Sequence, residues 1–270
     1  MKSIFQSQKT LKGYINLFQI FLYAFAAGAT VVIAKYFIHL YNFEPIEQSS
    51  LHNGVISSAT FVIGFLLSAT IADYKESERI PADFAANLED MYEDAKAIHG
   101  KYDGFDLEGY RKQLVKIARK FDAHTRQAAH GVSQEIRSLS VYLAQMEDAN
   151  VPANFVVKLK QQQLQMLRHR KRVNYIQRIN FIPSATILAR SITGFVIGLL
   201  ILTNVDPFYG SLAIIGIITF VLVYMMILIN TISQPFHVSG KTQDDVSMFL
   251  IKEAEQQLSR AKPTPKSSKN

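Results

Sequence analysis

Ser57, Phe61, Phe65, Ser68 and Ala72 recur at i, i+4, i+8, i+11 and i+15 in the stretch "GVISSATFVIGFLLSATIA". On a helix of about 100° per residue these positions fall within an arc of about 80°. Hydroxyls and aromatic rings therefore share one side. Ser58 and Gly64 flank it, and Ile56, Ile63 and Leu67 lie opposite. Such a face has two uses. Small residues let helices approach closely in lipid. Alternatively, the hydroxyls wet a passage in which Phe61 and Phe65 form an apolar constriction that gates by dewetting.

Two basic features could also do chemistry. Arg190 lies inside the apolar run "ILARSITGFVIGLLILTNV". A centrally placed Arg costs about 2.5–3.5 kcal/mol on insertion scales, so it is expected to be satisfied. It can snorkel to the interface, pair with another helix or attract anions. "RHRKRV" carries Arg168, Arg170, Lys171 and Arg172 shortly before that run. These are either solvated helix faces, or an ion-attracting vestibule or headgroup contact.

Enzyme chemistry has no visible basis. There is no Gly-rich phosphate loop, no HExxH and no GxSxG. His124 and His130 are not at the i, i+4 spacing of a helical metal pair, and Cys is absent. The Glu89, Asp90, Glu93, Asp94 cluster reads as a solvated helix surface. No catalysis, cofactor or metal is expected. Net charge is +7, but no aromatic-basic RNA motif or zinc-finger spacing accompanies it, so no nucleic-acid partner is expected.

The elements that must position these residues follow from hydropathy. The chain has 270 residues and is 49% hydrophobic, yet it carries 29 Lys+Arg and 22 Asp+Glu. Its mean hydropathy of +0.08 reflects segregation, with apolar residues gathered into four runs at 17–34, 54–72, 187–205 and 209–232. At 1.5 Å per residue, about 18–20 residues cross a hydrocarbon core of about 30 Å. Lipid offers the backbone no partner, so each run is expected to be a transmembrane helix.

Lys and Arg set the orientation. The connection at 40–53 holds Glu44 and Glu47 but no Lys or Arg, and the one at 206–208 holds only Asp206. Both are placed outside. The N-terminus, the middle region and the tail are placed in the cytoplasm, which makes this a multi-pass inner-membrane protein. Lys35, at the outer end of the first run, is expected to snorkel. Lysines ahead of the first run and "AFA" at 24–26 imitate a signal peptide, but the run is longer than a typical signal core and reads as an uncleaved anchor.

The middle region, 73–182, reads as three helices broken at "GKYDG" and "NVP". Tyr110, Leu114, Ile117 and Phe121, then Val132, Ile136, Leu139, Leu143 and Met146, predict one long amphipathic helix. The flanking helices are expected to extend spans two and three. Residues 83–108 hold eight acidic residues, whereas 149–190 hold none and carry eight Lys and Arg. The end, "KPTPKSSKN", reads as disordered. The expected organisation is 1–72 with spans one and two, a helical cytoplasmic region at 73–182, spans three and four at 183–234, and a tail at 235–270.

"GFLLSATIADYKESE" resembles the bestrophin pattern of Gly-Phe, a Ser three residues on, an aromatic and a Glu, with Gly64, Phe65, Ser68, Tyr74 and Glu76 matching without a gap. Gln234, Pro235 and Phe236 after span four resemble the Asn-Pro-Phe-Gly-acidic segment that ends bestrophin membrane domains. "NFIP" before span three fits as well. The layout is most similar to the bacterial bestrophin-like four-span proteins. The resemblance implies an all-α pentameric anion channel whose neck is lined by Ser57, Phe61 and Phe65. Leu66 and Leu67 depart from the bacterial Arg-Asn, Asp73 replaces an Arg, and His237 replaces a Gly. Of the acidic run that helps bind calcium in animal members only Asp244 and Asp245 remain, fewer than the roughly 6–8 oxygens a hard cation wants.

The expectation is thus a four-helix membrane protein with a cytoplasmic helical extension that self-associates around an axis and passes a small inorganic ion. Pore-lining residues are Ser57, Phe61, Phe65 and Ser68, and ion-attracting ones are Arg168, Arg170, Arg172 and Arg190. Gln234, Pro235 and Phe236 are expected to form a hinge, since Pro cannot extend the helical ladder. The alternative is a non-conducting scaffold or regulator that binds partners through its cytoplasmic helices.

Overall fold

The computed structural model describes residues 2–122, 126–178, 183–233, 235–236 and 246–261. In chain order its elements are α1 (Lys2–Leu40), β1 (Ile46–Glu47), α2 (Ser50–His99), α3 (Leu107–Asp122), α4 (Arg126–Asp148), α5 (Ala153–Arg178), α6 (Pro183–Leu202), β2 (Thr203–Asn204), α7 (Phe208–Ile232) and α8 (Phe249–Arg260). The fold is all-α apart from one two-residue pairing. Among the described residues four segments are long and apolar enough to cross a membrane: Phe18–Leu40, α2, Ala185–Leu202 and α7. The chain forms two compact units, one of residues 1–74, 179–235 and 241–245, the other of 75–178, 236–240 and 246–270.

The first unit packs α1, the start of α2, α6 and α7. Its core joins Ala59 and Ile63 of α2 to Val196 and Leu200 of α6 and to Ile215, Leu222 and Ile229 of α7. α1 lies close along α7 because both present glycine at the contact. A Cβ on Gly28 would meet the Gly216 carbonyl at 3.0 Å, and one on Gly216 would meet Val32 Cγ2 at 3.0 Å. Phe21 and Phe220 close the same seam edge to face, with centroids 5.3 Å apart. Threonine hydroxyls within the helices turn back on their own backbone, as Thr60 does on the Ile56 carbonyl at 2.9 Å and Thr193 on that of Ala189 at 2.8 Å. This satisfies a hydroxyl where lipid provides no partner.

The two tight connections meet at one end of this unit. β1 pairs with β2 in parallel, with Ile46 opposite Thr203 and Glu47 opposite Asn204. The charge pattern anticipates two connections on the same side but not this joint.

The second unit contains the rest of α2, which is unbroken from Ser50 to His99, together with α3, α4, α5 and α8. The expected continuation of α5 into span three falls at 179–182, outside the described residues. The single helix expected over 110–146 is two helices instead. Gln113 Nε2 donates to Glu135 Oε2 at 2.9 Å and to Ser138 Oγ at 2.7 Å, so α3 and α4 fold against each other. The sequence hides this because Phe121 and Val132 are 11 residues apart, about three turns, and the apolar stripe stays in phase across the break. Phe84, Leu88, Leu114, Ile117, Ile136, Leu139, Leu159 and Met166 fill the core between the helices.

α8 is a helix where only a tail was expected. Ile251, Ala254 and Leu258 are buried. Arg119 Nε lies 2.8 Å from Glu255 Oε1, and Arg111 donates to the Leu258 and Ser259 carbonyls. A cation at the last carbonyls satisfies groups that have no intrahelical donor and opposes the helix dipole.

Candidate channel-lining face and its supports

The patterned side of α2 is left open by its own chain. Phe61 is 74% exposed and Phe65 68%, while Ala59 and Ile63 on the reverse side are buried at 7% and 0%. Ser57 and Ser68 are exposed too. Thr60 and Thr70, off this arc, are tied to the carbonyls of Ile56 and Leu66. Among the described residues no hydrogen bond engages the Ser57 or Ser68 hydroxyl. The face therefore combines two free hydroxyls with two uncovered rings.

At the end where the connections meet, Lys35 departs from expectation. Rather than snorkelling, it is 1% exposed and its ammonium lies 2.6 Å from Glu44 Oε1. It donates to the Ile201 carbonyl at 3.1 Å and also to the Thr203 carbonyl. The C-terminal end of α6 and a carboxylate thus enclose the charge, which removes the need to reach water. His39 Nδ1 lies 3.0 Å from Glu44 Oε2, and its ring stacks on Phe208 with centroids 3.7 Å apart. Burial alone would push the Glu44 carboxyl up, but Lys35 and His39 outweigh it and hold it below the usual carboxylate range. Thr203 Oγ1 donates to the Leu199 carbonyl at 2.7 Å, so it is free to accept from His52 Nδ1, 3.0 Å away.

Arg190 reaches across to α7. Its Nη2 stands 3.3 Å from Asn230 Oδ1, which ties α6 to α7. Sequence reasoning missed Asn230. The signal was present, because Asn230 is the only side-chain amide in the otherwise apolar α7.

Arg168, Arg170 and Arg172 of α5 do not form one patch. Residues two apart on a helix are about 200° apart, whereas residues four apart are about 40° apart. Arg168 and Arg172 are exposed, and Arg172 pairs with Glu76 at 3.3 Å and lies 5.8 Å from the Tyr175 ring centroid. Arg170 is 5% exposed and sits 5.8 Å from the centroid of Phe121. Burial pushes the Arg170 guanidinium down from its ordinary value, yet a guanidinium keeps its proton in proteins. Lys158 joins the basic α5 to the acidic α2 through Asp94 at 2.7 Å.

α7 ends at Ile232, with the Ser233 N–H on the Ile229 carbonyl at 3.0 Å. Pro235 and Phe236 follow, both buried, and the Phe236 carbonyl accepts from Gln177 Nε2 at 3.4 Å. Gln234, Asp244 and Asp245 lie outside the described residues. Among the described residues no group of three or more His, Asp or Glu side chains could hold a metal ion.

Solved structures share this fold. A bacterial bestrophin homologue from Klebsiella pneumoniae, in one mutant form, superposes with a TM-score of 0.74 at 10% identity, covering 90% of this chain and 96% of that one. A second mutant form gives 0.72 at 10% identity, over 89% and 97%. A crystal structure of a membrane protein in one mutant form gives 0.71 at 10% identity, over 93% and 100%. No protein-family model matches the chain, and no curated protein does. The chain thus has the fold of bacterial bestrophin homologues.

Proposed function

We propose that this protein is the subunit of an oligomeric, bestrophin-like ion channel that conducts anions, with its neck on α2. The observation that carries this reading is the uncovered face of α2, where Phe61 and Phe65 stand 74% and 68% exposed one turn apart between the free hydroxyls of Ser57 and Ser68. In a ring of subunits, here taken as five by the bestrophin resemblance, these faces meet on the axis and the phenyl rings close an apolar constriction. Narrow apolar constrictions gate by dewetting, and flanking hydroxyls keep the path wet on either side. Four helices that pack on a common core leave little room for a passage within one subunit.

Anion preference follows in this reading from the basic excess, with Arg168 and Arg172 exposed on α5. Arg190 is engaged by Asn230 and Arg170 is buried, so these two act on packing more than on the ion. Gln234, Pro235 and Phe236 serve as the joint between the last span and the residues after it. The channel sits in the inner membrane with both termini in the cytoplasm.

The deciding experiment records current through the purified chain in planar bilayers beside Phe61→Ala and Phe65→Ala, with particle imaging of the same samples. A ring with current that rises at least several-fold in either variant supports the proposal. An intact ring silent in all three samples, or a monomer, overturns it and leaves the scaffold reading.

A further inference from the structure

Several charged side chains of the second unit are committed to a partner. Glu76 holds Arg172, Asp94 holds Lys158, Glu108 holds Arg111, and Glu135 holds Lys116 and Lys120. One place on the same two helices is lined by charged side chains that have no such partner. A solvent-open cavity of about 480 Å³ is lined by Asp83, Ala86 and Asn87 of α2 and by Gln165, Arg168 and His169 of α5, with Asp83, Ala86, Gln165 and Arg168 exposed. Each triplet has i, i+3, i+4 spacing, so one face of each helix contributes. Among the described residues no hydrogen bond or ion pair engages Asp83, Asn87, Gln165, Arg168 or His169. Asp83 and Arg168 share the cavity without pairing with each other.

We infer that this cavity binds a zwitterionic small molecule, with Arg168 taking its carboxylate or phosphate and Asp83 its ammonium. A simple anion at Arg168 would also face the Asp83 carboxylate, and a simple cation at Asp83 would face the guanidinium. A solute with both charges satisfies both walls. The planar guanidinium suits a two-oxygen acid group. Asn87 and Gln165 each add donors and an acceptor, and Ala86 leaves space between them. Burial pushes the His169 imidazole down, partly offset by Asp83, so near neutrality it is mainly uncharged and adds one donor and one acceptor. The volume falls in the range of about 300–1,000 Å³ usual for small-molecule sites. Free amino acids and the phosphoethanolamine of a lipid headgroup carry this chemistry.

The test is calorimetric titration of the purified full-length chain with glycine, L-glutamine and phosphoethanolamine, beside acetate and ethylamine as single-charge controls. Saturable binding of at least one zwitterion is expected, with the single-charge controls at least tenfold weaker. Asp83→Asn and Arg168→Gln should each weaken that zwitterion at least tenfold while leaving the elution profile unchanged. Asn87→Leu, which narrows the cavity and removes no charge, gives an independent loss if either charge variant proves unstable. Glycine or glutamine binding assigns a free amino acid, and phosphoethanolamine alone assigns a lipid headgroup. Absence of zwitterion binding, equal binding of a control, or binding unchanged in folded variants overturns the inference.

Discussion

Lys35 Nζ and Glu44 Oε1 stand 2.6 Å apart with side chains 1% and 7% exposed, and this pair anchors the connection after α1 to the end of α6. Removing one partner of a buried pair leaves the other charge uncompensated, at a cost of about 3–5 kcal/mol. Lys35→Met is therefore expected to lower the thermal midpoint in detergent sharply. Lys35→Met with Glu44→Gln should recover part of the loss. The Glu44 carboxyl is held low, so its contribution is complete above the ordinary carboxylate value of 4.5 and fades as pH falls through the lowered one. Equal effects of the single and double variants would refute the pairing.

The α1–α7 seam makes a comparison of two glycines informative. A methyl at Gly28 meets a backbone oxygen at 3.0 Å, whereas one at Gly216 meets a Val32 methyl that can rotate. Overpacking of this kind costs about 1–3 kcal/mol. Gly28→Ala should fall at the upper end and Gly216→Ala at the lower, read as thermal midpoints in one detergent. The reverse order would mean that the helices separate more readily than the packing implies.

Glu135 carries the clearest pH dependence. Lys120 is the largest influence, partly opposed by burial and assisted by Gln113 and Lys116, and together they bring the carboxyl down to about 2. A depressed carboxyl stabilises fully above about 4.5, and the effect is lost as pH falls toward 2. Solvent screening at the exposed lysines trims the benefit of the ion pairs to about 1–2 kcal/mol at pH 7. Glu135→Gln should cost that much in urea unfolding at pH 7, and the gap should narrow by more than half near pH 3. A gap that does not change with pH would mean that the charge of Glu135 contributes nothing to it.

Arg190 and Asn230 can be tested as a pair. Hydrogen bonds between membrane helices measured by double-mutant cycles average about 0.6 kcal/mol and reach about 1.7. Arg190→Ala, Asn230→Ala and the double variant should show coupling of that size. Strict additivity would mean that the contact contributes nothing.

The chain has no cysteine, so orientation can be read by labelling. Phe43→Cys and Asp206→Cys should react with an impermeant maleimide from outside intact cells, and Ala144→Cys only after lysis. Labelling of Ala144→Cys in intact cells would invert the proposed orientation.

The four spans were legible because lipid imposes one rule on every residue of a run: stay apolar and close the backbone within a helix. The arc of Ser57, Phe61, Phe65 and Ser68 was legible for a related reason, since helical spacing alone decides which residues share a side. Contacts between distant segments were not. Lys35 carried no mark of Ile201 or Thr203, and Arg190 carried none of Asn230. The α3–α4 fold-back was hidden by an apolar stripe that kept its phase. α8 was passed over because its 12 residues are rich in Glu, Gln and Lys, and only Ile251, Ala254 and Leu258 reveal a buried side.

The clasp at Lys35 also has a history along the ribosome. Glu44 follows it by nine residues, but the Ile201 and Thr203 carbonyls follow by 166 and 168. During synthesis the ammonium of the first span must wait, neutralised by Glu44 alone, until the third span has been made and threaded. The Lys35–Glu44 pair is therefore local to the first span and the connection after it, and arrival of the third span supplies the remaining acceptors. Chains stalled before residue 200 should then lose α1 to alkaline or urea extraction more readily than chains stalled after 233, and equal extraction would mean that the clasp needs no such completion.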